Sequence, residues 1–164
     1  MSRVVVLSDT HMGPSSRRRL PAGVYQALQT AHLVLHAGDI VTSDLLHELS
    51  GFAPTLAVLG NNDVDPDLSH LPETRLEVIE GVRVAMVHDS GPRPGRPARM
   101  RRRFPHADVV VFGHSHIPWN ELGADGQLLF NPGSPTDRRA QPHHTMGVLE
   151  LEAGQVVRRE VVAV

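Results

Sequence analysis

The sequence contains no cysteine and no lysine, and these two absences exclude several kinds of chemistry. Without cysteine there is no disulfide, no thiolate nucleophile and no cysteine-based zinc site. Without lysine there is no lysine Schiff base and no phosphate-binding loop of the GxxxxGK[ST] type. All 16 positive charges are therefore arginines. Histidine, by contrast, is abundant, with 11 residues beside 18 acidic ones. Histidine and aspartate are thus the side chains left for catalysis or metal binding.

Long apolar runs are also missing, since no stretch approaches the ~20 residues needed to cross a bilayer. The chain begins MSRVVVLSDTH, which has neither a long hydrophobic leader region nor a small-residue cleavage site. We therefore expect no membrane segment and a cytoplasmic protein. A length of 164 residues suits one compact domain over 1–164. The net charge of −2 offers no general attraction to nucleic acid.

Strand-like and helix-like patterns alternate in the first half of the chain. Apolar, β-branched runs predict strands over 3–9, 33–39 and 55–63, and helical spacing predicts helices over 21–32 and 43–51. Strands separated by helices in this way indicate a parallel βαβ arrangement.

The second half is richer in strands. Residues 74–91 read as two strands around a Glu-Gly turn, and 108–116 as a buried strand. Segments 119–134 and 145–164 each contain a hairpin signal, Asp-Gly in the first and Ala-Gly in the second. Segment 90–104 is rich in proline, glycine and arginine, and reads as a linker that leads into a basic turn or helix.

Polar side chains follow the carboxyl ends of five predicted strands, where open α/β sheets bind their ligands. Because side chains alternate along extended chain, Asp9 and His11 are expected on one side of their segment, and His114 and His116 likewise. Imidazole with carboxylate suits Mn, Fe, Zn, Co or Ni better than Ca or Mg. Glycines in three of the motifs permit tight turns. The motifs are Ser8-Asp9-Thr10-His11, Gly38-Asp39, Gly60-Asn61-Asn62-Asp63, His88-Asp89 and Gly113-His114-Ser115-His116.

The order D-x-H, G-D, G-N-x-D, a lone H after a strand and G-H-x-H resembles the calcineurin-like metallophosphoesterases. The short length, the NPGS at 131–134 and the closing hairpin are similar to the small YfcE-type phosphodiesterase branch. The resemblance covers essentially the whole chain. It implies an α/β fold, a four-layer α/β/β/α sandwich of two mixed sheets.

The resemblance also implies two divalent metal ions, with Mn²⁺ as the first choice and Fe, Zn, Ni or Co as alternatives. A hydroxide between the ions would be the nucleophile, since two metals ~3.5–4 Å apart acidify water and clamp the attacking and leaving oxygens. Asp39 would bridge the ions. The remaining implied ligands are Asp9, His11 and His116 for one metal, and Asn61, His88 and His114 for the other.

Two positions depart from the family pattern. Asn62 stands where many relatives have a histidine as general acid, and an amide cannot supply a proton at neutral pH. This favours phosphodiesters whose leaving group needs little protonation, or a proton that comes from water or another histidine. The amide can still hydrogen-bond a phosphate oxygen, so Asn62 is also a predicted substrate-binding residue. Leu59 stands where relatives often have an arginine, so Arg138 and Arg139 are the candidates for phosphate binding. Asp63 joins Asp39 and Asn62 as a predicted catalytic group, with orientation of its neighbours as its predicted contribution.

Several alternatives stay open. The same site could serve a phosphomonoesterase, or a nuclease that uses the six arginines between Arg93 and Arg103 to bind nucleic acid. Those arginines also read as a solvated turn or an oligomer contact. A further alternative is a binding scaffold, like the retromer subunit that shares the fold but has degraded metal motifs. The expected partners are a small phosphate ester and, by analogy, further copies of the chain. His36 reads as a hydrogen-bonded core histidine, and Asn131 and Ser134 as residues that shape a turn near the metals.

Overall fold

The computed structural model describes residues 1–164 and contains ten strands and three α-helices. The strands are β1 (Ser2–Leu7), β2 (Leu33–His36), β3 (Thr55–Ala57), β4 (Thr74–Ile79), β5 (Val82–Val87), β6 (Val109–Val111), β7 (Trp119–Leu122), β8 (Leu128–Asn131), β9 (Thr145–Glu152) and β10 (Gln155–Ala163). The helices are α1 (Ala22–Leu28), α2 (Ser43–Ser50) and α3 (Arg96–Arg103). No helix combines the length and the apolar character needed to cross a lipid bilayer.

The strands form two five-stranded sheets, in the orders β10-β9-β1-β2-β3 and β4-β5-β6-β8-β7. In the first sheet β1, β2 and β3 are parallel, and β9 and β10 are antiparallel to their neighbours. In the second, β5, β6 and β8 are parallel, whereas the edge strands β4 and β7 are antiparallel. Both sheets are therefore mixed, as the resemblance implied.

The strand β1 shows how its sequence produces the layers. Val4 and Val6 point into the core between the two sheets, where they meet side chains such as Phe130. Val5 and Leu7 point the other way and pack beneath α1 and α2. Because both faces of the strand are buried, an unbroken apolar run is the favoured sequence. Each fully buried side chain of this size stabilises the fold by about 1.5–3 kcal/mol.

The helices complete the sandwich. Leu28 of α1 and Leu49 of α2 belong to the core on the outer face of the first sheet. Met100 of α3 and the following Phe104 belong to a separate core on the outer face of the second sheet, with Phe112. The order helix, sheet, sheet, helix confirms the four-layer α/β/β/α fold.

The strands that lead to the polar motifs end earlier than their sequences predicted. β1 ends at Leu7 and β6 at Val111, so Asp9 and His114 lie in loops beyond the strands. The expectation that Asp9 and His11 share one side of extended chain is therefore wrong, and so is the same expectation for His114 and His116. The loop residues turn through left-handed backbone, which the strand pattern could not indicate.

Candidate metal centre

The polar motifs meet at one end of the sandwich, where loops from both sheets converge. Asp9, Asp39 and Asn61 follow β1, β2 and β3 of the first sheet. His88 and His114 follow β5 and β6 of the second. The carboxyl ends of parallel strands in each sheet thus supply opposite walls of one site.

The first group of donors consists of Asp9, His11 and His116, whose ligand atoms lie within 4.8 Å of one another. The Nε2 atoms of His11 and His116 are 3.3 Å apart. His116 Nε2 lies 3.5 Å from Asp9 Oδ1. These are the three residues that the resemblance assigns to one metal.

The second group centres on His88. Its Nε2 lies 2.9 Å from Asn61 Oδ1, and His114 Nδ1 lies 3.2 Å from the same oxygen. Asp9, Asp39 and His88 also form a compact donor set. Asp9 therefore lies close to both groups of donors.

Asp39 lies between the two groups. Its Oδ2 atom is 3.4 Å from His11 Nε2 and 3.4 Å from His88 Nε2. Burial tends to raise the pKa of Asp39, but His88 and hydrogen bonds from Asn62 outweigh it and hold the pKa below its usual value. Asp39 therefore remains a carboxylate at a position that can contact ions on both sides.

One buried carboxylate oxygen indicates that this site binds a cation. Asp9 Oδ1 is fully buried and has no hydrogen-bond partner, although it lies 3.5–3.9 Å from the Nε2 atoms of His11, His88 and His116. Burial raises the pKa of Asp9 to about 6, against the opposing effect of His88. A buried carboxylate oxygen without a partner is costly unless a cation satisfies it. The donors present fit a divalent metal ion with mixed nitrogen and oxygen ligands.

Backbone carbonyls orient two of the site histidines. His88 Nδ1 lies 2.7 Å from the Ala37 carbonyl oxygen, and His116 Nδ1 lies 2.5 Å from that of Asp137. Because a carbonyl only accepts, each Nδ1 carries a hydrogen and donates it, which directs Nε2 toward the carboxylates. Burial tends to lower the pKa of His88, but Asp39 and Asp9 outweigh burial and raise this pKa, so a cation bound here would displace a proton from Nε2. Burial lowers the pKa of His11 and of His116, which keeps both imidazoles neutral and able to bind metal.

The backbone is strained at most of the predicted ligands. A non-glycine residue with positive φ is uncommon, and such residues cluster at functional sites. The predicted ligands with positive φ are Asp9, His11, Asp39, His114 and His116.

Two glycines make room for the crowded carboxylates. A Cβ on Gly60 would lie 2.2 Å from Asp39 Oδ1, and one on Gly113 would lie 2.7 Å from Asp9 Oδ2 and 1.9 Å from Ser8 Oγ. Neither glycine has a positive φ, so close approach is what requires it. Gly38, in contrast, has a φ of +97° and provides the turn before Asp39.

The Asp63 carboxylate holds the loop that carries Asp39 by hydrogen bonds to its backbone. This carboxylate accepts backbone N–H bonds from Asp39, Ile40, Val41 and Gly60 at 2.7–3.0 Å. Both oxygens are thus engaged by the backbone. The geometry gives Asp63 the orienting contacts expected of it, and no oxygen free to face a substrate.

Asn62 holds the central carboxylate directly. Its backbone N–H donates to Asp39 Oδ1 at 2.9 Å, and its side-chain Nδ2 donates to Asp39 Oδ2 at 2.8 Å. The side-chain amide has a second hydrogen, which remains available for a substrate oxygen. Asn62 is exposed, so a substrate can reach it.

Other predicted supporting residues lie beside the cluster. Ser134 Oγ donates to the Asp9 carbonyl at 2.7 Å, and Asn131 Nδ2 donates to the Gly113 carbonyl at 3.1 Å. His36 is fully buried, with Nε2 3.0 Å from Thr10 Oγ1. Burial lowers the pKa of His36 to about 3, as suits a neutral core histidine.

Two open clefts flank the cluster. The histidine cleft has a volume of about 370 Å³ and is lined by Asn61, Glu73, His88, Asp89, Arg103 and His114, among others. The arginine cleft has a volume of about 780 Å³ and is lined by His11, Gly13, Ser15, Ser16, Arg17, Arg18, Val41 and Asn62. Each cleft therefore includes predicted metal ligands in its wall.

The arginines that line the two clefts differ from those proposed from sequence. Arg138 donates to the Gln141 carbonyl at 2.6 Å, and neither it nor Arg139 lines the two clefts. Arg139 is close enough to contribute to the lowered pKa values of His11 and His116. Arg17 and Arg18, six and seven residues after His11, were not among the residues predicted from sequence, because no motif marks them.

The arginine run between Arg93 and Arg103 is partly structural. Arg96 is buried and stacks over Phe112 at 4.9 Å and Trp119 at 5.1 Å. Arg99 Nε donates to the Ser90 carbonyl at 2.8 Å. These contacts stabilise the loop before α3. The guanidinium groups of Arg96 and Arg99 are therefore engaged by other residues of the chain.

The sequence matches the family model for the calcineurin-like phosphoesterase superfamily domain over residues 2–154. The chain belongs to the calcineurin-like phosphoesterase superfamily. This phosphoesterase is 36% identical over 160 residues to a probable metallophosphoesterase of Methanothermobacter thermautotrophicus, with 96% of this chain and 90% of the relative covered. Family membership and the donor clusters together make the chain a metal-dependent phosphoesterase.

Solved structures agree with this phosphoesterase fold. The solution NMR structure of a Thermotoga maritima protein superposes with a TM-score of 0.73 at 30% identity, over 100% of both chains. YfcE, a phosphoesterase from E. coli, superposes with a TM-score of 0.62 at 20% identity, over 98% of both chains. The second likeness is one of fold.

Proposed function

We propose that this phosphoesterase is a dinuclear enzyme that hydrolyses small phosphodiesters. The observation that carries the proposal is the position of Asp39 Oδ2, 3.4 Å from both His11 Nε2 and His88 Nε2. A carboxylate oxygen midway between two donor groups suits a ligand shared by two ions. The alternative of one ion leaves the second group of donors without a purpose.

The ligand sets are proposed as follows. Asp39 would bind both ions, and Mn²⁺ is the ion we favour, since carboxylate, amide and imidazole donors together suit it. When bound, such a pair lowers the pKa of water and offsets charge on a phosphate group. One ion would be held by Asp9, His11 and His116, and the other by Asn61, His88 and His114.

The side chains of the protein contribute to the proposed reaction by orienting ligands and by setting the charge of the site. The neutral imidazoles of His11 and His116 offer lone pairs without adding positive charge of their own. Asn62 fixes the Asp39 carboxylate by two hydrogen bonds and keeps one N–H for a phosphate oxygen. Prearranged donors of this kind stabilise developing charge without reorganising during the reaction.

The preference for diesters rests on Asn62, which stands at the position where many relatives have a histidine as general acid. Asn62 cannot donate a proton at neutral pH, and His11, beside it in the arginine cleft, has a lowered pKa. A leaving group of low pKa, such as p-nitrophenolate, departs without protonation. We therefore expect bis-p-nitrophenyl phosphate to be hydrolysed faster than diesters with alkoxide leaving groups.

Chelation tests the metal requirement. Activity on bis-p-nitrophenyl phosphate should disappear after treatment with EDTA and return when Mn²⁺ is added. Comparison with Zn²⁺, Ni²⁺, Co²⁺ and Fe²⁺ tests the preference for Mn²⁺. Hydrolysis by protein that elemental analysis shows to be metal-free would contradict the proposal.

The substitution Asp39→Asn tests the shared ligand and separates an enzyme from a binding scaffold. It should lower kcat by more than about 100-fold, because it removes the charge shared by both ions. Asp67→Asn, at an exposed residue outside both clefts, is the matched control and should keep full activity. Thermal unfolding should show that both variants are folded. A scaffold would have no metal-dependent turnover for Asp39→Asn to remove.

A further inference from the structure

The arginine cleft opens directly beside the proposed reaction centre. His11, a predicted metal ligand, and Asn62, which holds Asp39, both contribute to its wall. Its volume of about 780 Å³ falls in the range of small-molecule sites and far exceeds what one phosphate group fills. A substrate held at the metals would therefore have part of its structure in this cleft.

The charge of this cleft is positive. Its lining includes Arg17 and Arg18 and contains no acidic residue. Arg17 is exposed and has no carboxylate within ion-pair distance, so its charge is uncompensated. The hydroxyl groups of Ser15 and Ser16 lie in the same wall and add neutral hydrogen-bond donors.

Arg18 is held in place by contacts on two sides. Its Nη2 donates to Asp137 Oδ2 at 3.0 Å, and its Nη1 donates to the His11 carbonyl at 3.5 Å. The ion pair leaves 40% of the Arg18 side chain exposed. A guanidinium that is positioned before binding loses less freedom when it contacts an anion.

The histidine cleft has a different character. Its lining includes Glu73 and Asp89 beside Arg103, so carboxylates face any anion that enters it. The two sides of the reaction centre therefore differ in charge. An anionic extension of the substrate is favoured on the arginine side.

We propose that the arginine cleft binds a second phosphate group carried by the same molecule as the hydrolysed diester. This inference rests on the proposed function and narrows its substrate class to diesters that also bear a phosphomonoester. Arg17 provides the specificity, because its guanidinium can bind two phosphate oxygens at once. The serine hydroxyls complete the anion site.

A matched pair of chromogenic substrates tests the proposal. Thymidine 5′-(p-nitrophenyl phosphate) carries one phosphodiester, and its 3′-phosphorylated derivative adds only the second anionic group. The Mn²⁺-loaded native protein should hydrolyse the derivative with a kcat/KM at least about tenfold higher, the size of effect expected for a charge-assisted contact. High salt should reduce this ratio, because the cleft is open to solvent.

Arg17→Ala should bring the ratio of the two kcat/KM values close to one. Arg102→Ala is the matched control, since Arg102 is an exposed arginine on α3 outside both clefts. It should keep the native ratio. A native ratio near one, with bis-p-nitrophenyl phosphate still hydrolysed, would overturn this inference and leave the proposed function intact.

Absence of diester hydrolysis would reject the proposed function. A binding measurement tests the arginine cleft independently of hydrolysis. Calorimetry should show that thymidine 3′,5′-bisphosphate binds at least about tenfold more tightly than thymidine 5′-phosphate, and that Arg17→Ala removes the difference. Equal affinities for the two nucleotides would overturn the proposal that the arginine cleft binds a second phosphate group. A difference in affinity that remains in Arg17→Ala would overturn it as well.

Discussion

Asp9 is the residue at which function and stability conflict most directly. Burial raises its pKa from 3.8 to about 6, so the metal-free fold disfavours the charged carboxylate. Asp9→Asn removes that charge, and the new amide can donate to the neutral imidazole of His116, whose Nε2 lies 3.5 Å from Oδ1. The variant should therefore be more stable than the native protein in EDTA at pH 7, by about 3 kcal/mol.

The pH dependence of this difference follows from the sign of the shift. A raised pKa in the folded state stabilises the native protein below pH 3.8, and that stabilisation is lost as the pH rises to about 6. The stability gap between Asp9→Asn and native protein should thus be near zero at pH 4 and open fully by pH 7. Urea unfolding in EDTA measures it. A stability gap that does not change with pH would contradict the raised pKa of Asp9. With Mn²⁺ in place of EDTA, the native protein should become more stable than Asp9→Asn.

Residue identity at the site was predictable from sequence, whereas backbone conformation was not. The motifs named every donor that the structure brings together, because short polar motifs after strands are local signals. The positive φ of Asp9, His11 and Asp39 is not local. It is imposed by the surrounding packing, including the close approach of Gly60 to Asp39, and no periodicity in the sequence reports it.

Among the structural elements, the loop after β2 depends on a single side chain. Asp63 accepts four backbone N–H bonds and links this loop to Gly60 of the next one. Asp63→Ala leaves these donors without their acceptor and should lower the free energy of unfolding by about 3 kcal/mol or more. It should also weaken Mn²⁺ binding by about 10–100-fold, since Asp39 loses its support.

Asp67→Ala provides the comparison for Asp63→Ala. Asp67 is exposed, and its carboxylate makes no hydrogen bond. Its removal should change neither urea unfolding nor Mn²⁺ affinity measured by calorimetry. If Asp63→Ala matched this control in both measurements, the four hydrogen bonds would not support the loop as described.

The lengths of the elements were overestimated for a related reason. Residues 33–39 and 55–63 were predicted as strands, but β2 ends at His36 and β3 at Ala57. Apolar residues continue beyond these ends, as Val58 and Leu59 do after β3. The strands stop because the chain leaves the sheet to build the site, which is a tertiary effect. The existence of each element was a local property, and its end was not.

At the scale of the whole molecule, the sandwich itself came from resemblance to a family. The unbroken apolar run of β1 indicates that both faces of the strand are buried, but not what covers them. Pairings such as β1 with β9 join residues at opposite ends of the chain. No local pattern determines such contacts, although they decide which loops meet. The site depends on them, because each sheet supplies only part of the donors.

Gly147 couples the two sheets and makes this dependence testable. It lies on β9, where an added Cβ would be 2.3 Å from Phe130 Cε1 of the opposite sheet and 3.1 Å from Val6 Cβ. Gly147→Ala should therefore separate the sheets locally and lower the free energy of unfolding by about 1–3 kcal/mol. Because the donors stand on both sheets, Mn²⁺ affinity measured by calorimetry should fall as well.

A second substitution shows whether the contact with Phe130 is the cause. Phe130→Leu in the Gly147→Ala background removes the ring atoms that the new Cβ meets, so the double variant should be more stable than the sum of the single effects, by about 0.5–3 kcal/mol. Gly23→Ala is the control, since its added Cβ meets Val164, 3.1 Å away at Cγ1, and no residue of the second sheet. If the effects of Gly147→Ala and Phe130→Leu on the free energy of unfolding were additive, the contact with Phe130 would not be the source of the strain. Restored stability together with restored Mn²⁺ affinity would show that the spacing of the sheets sets the geometry of the metal centre.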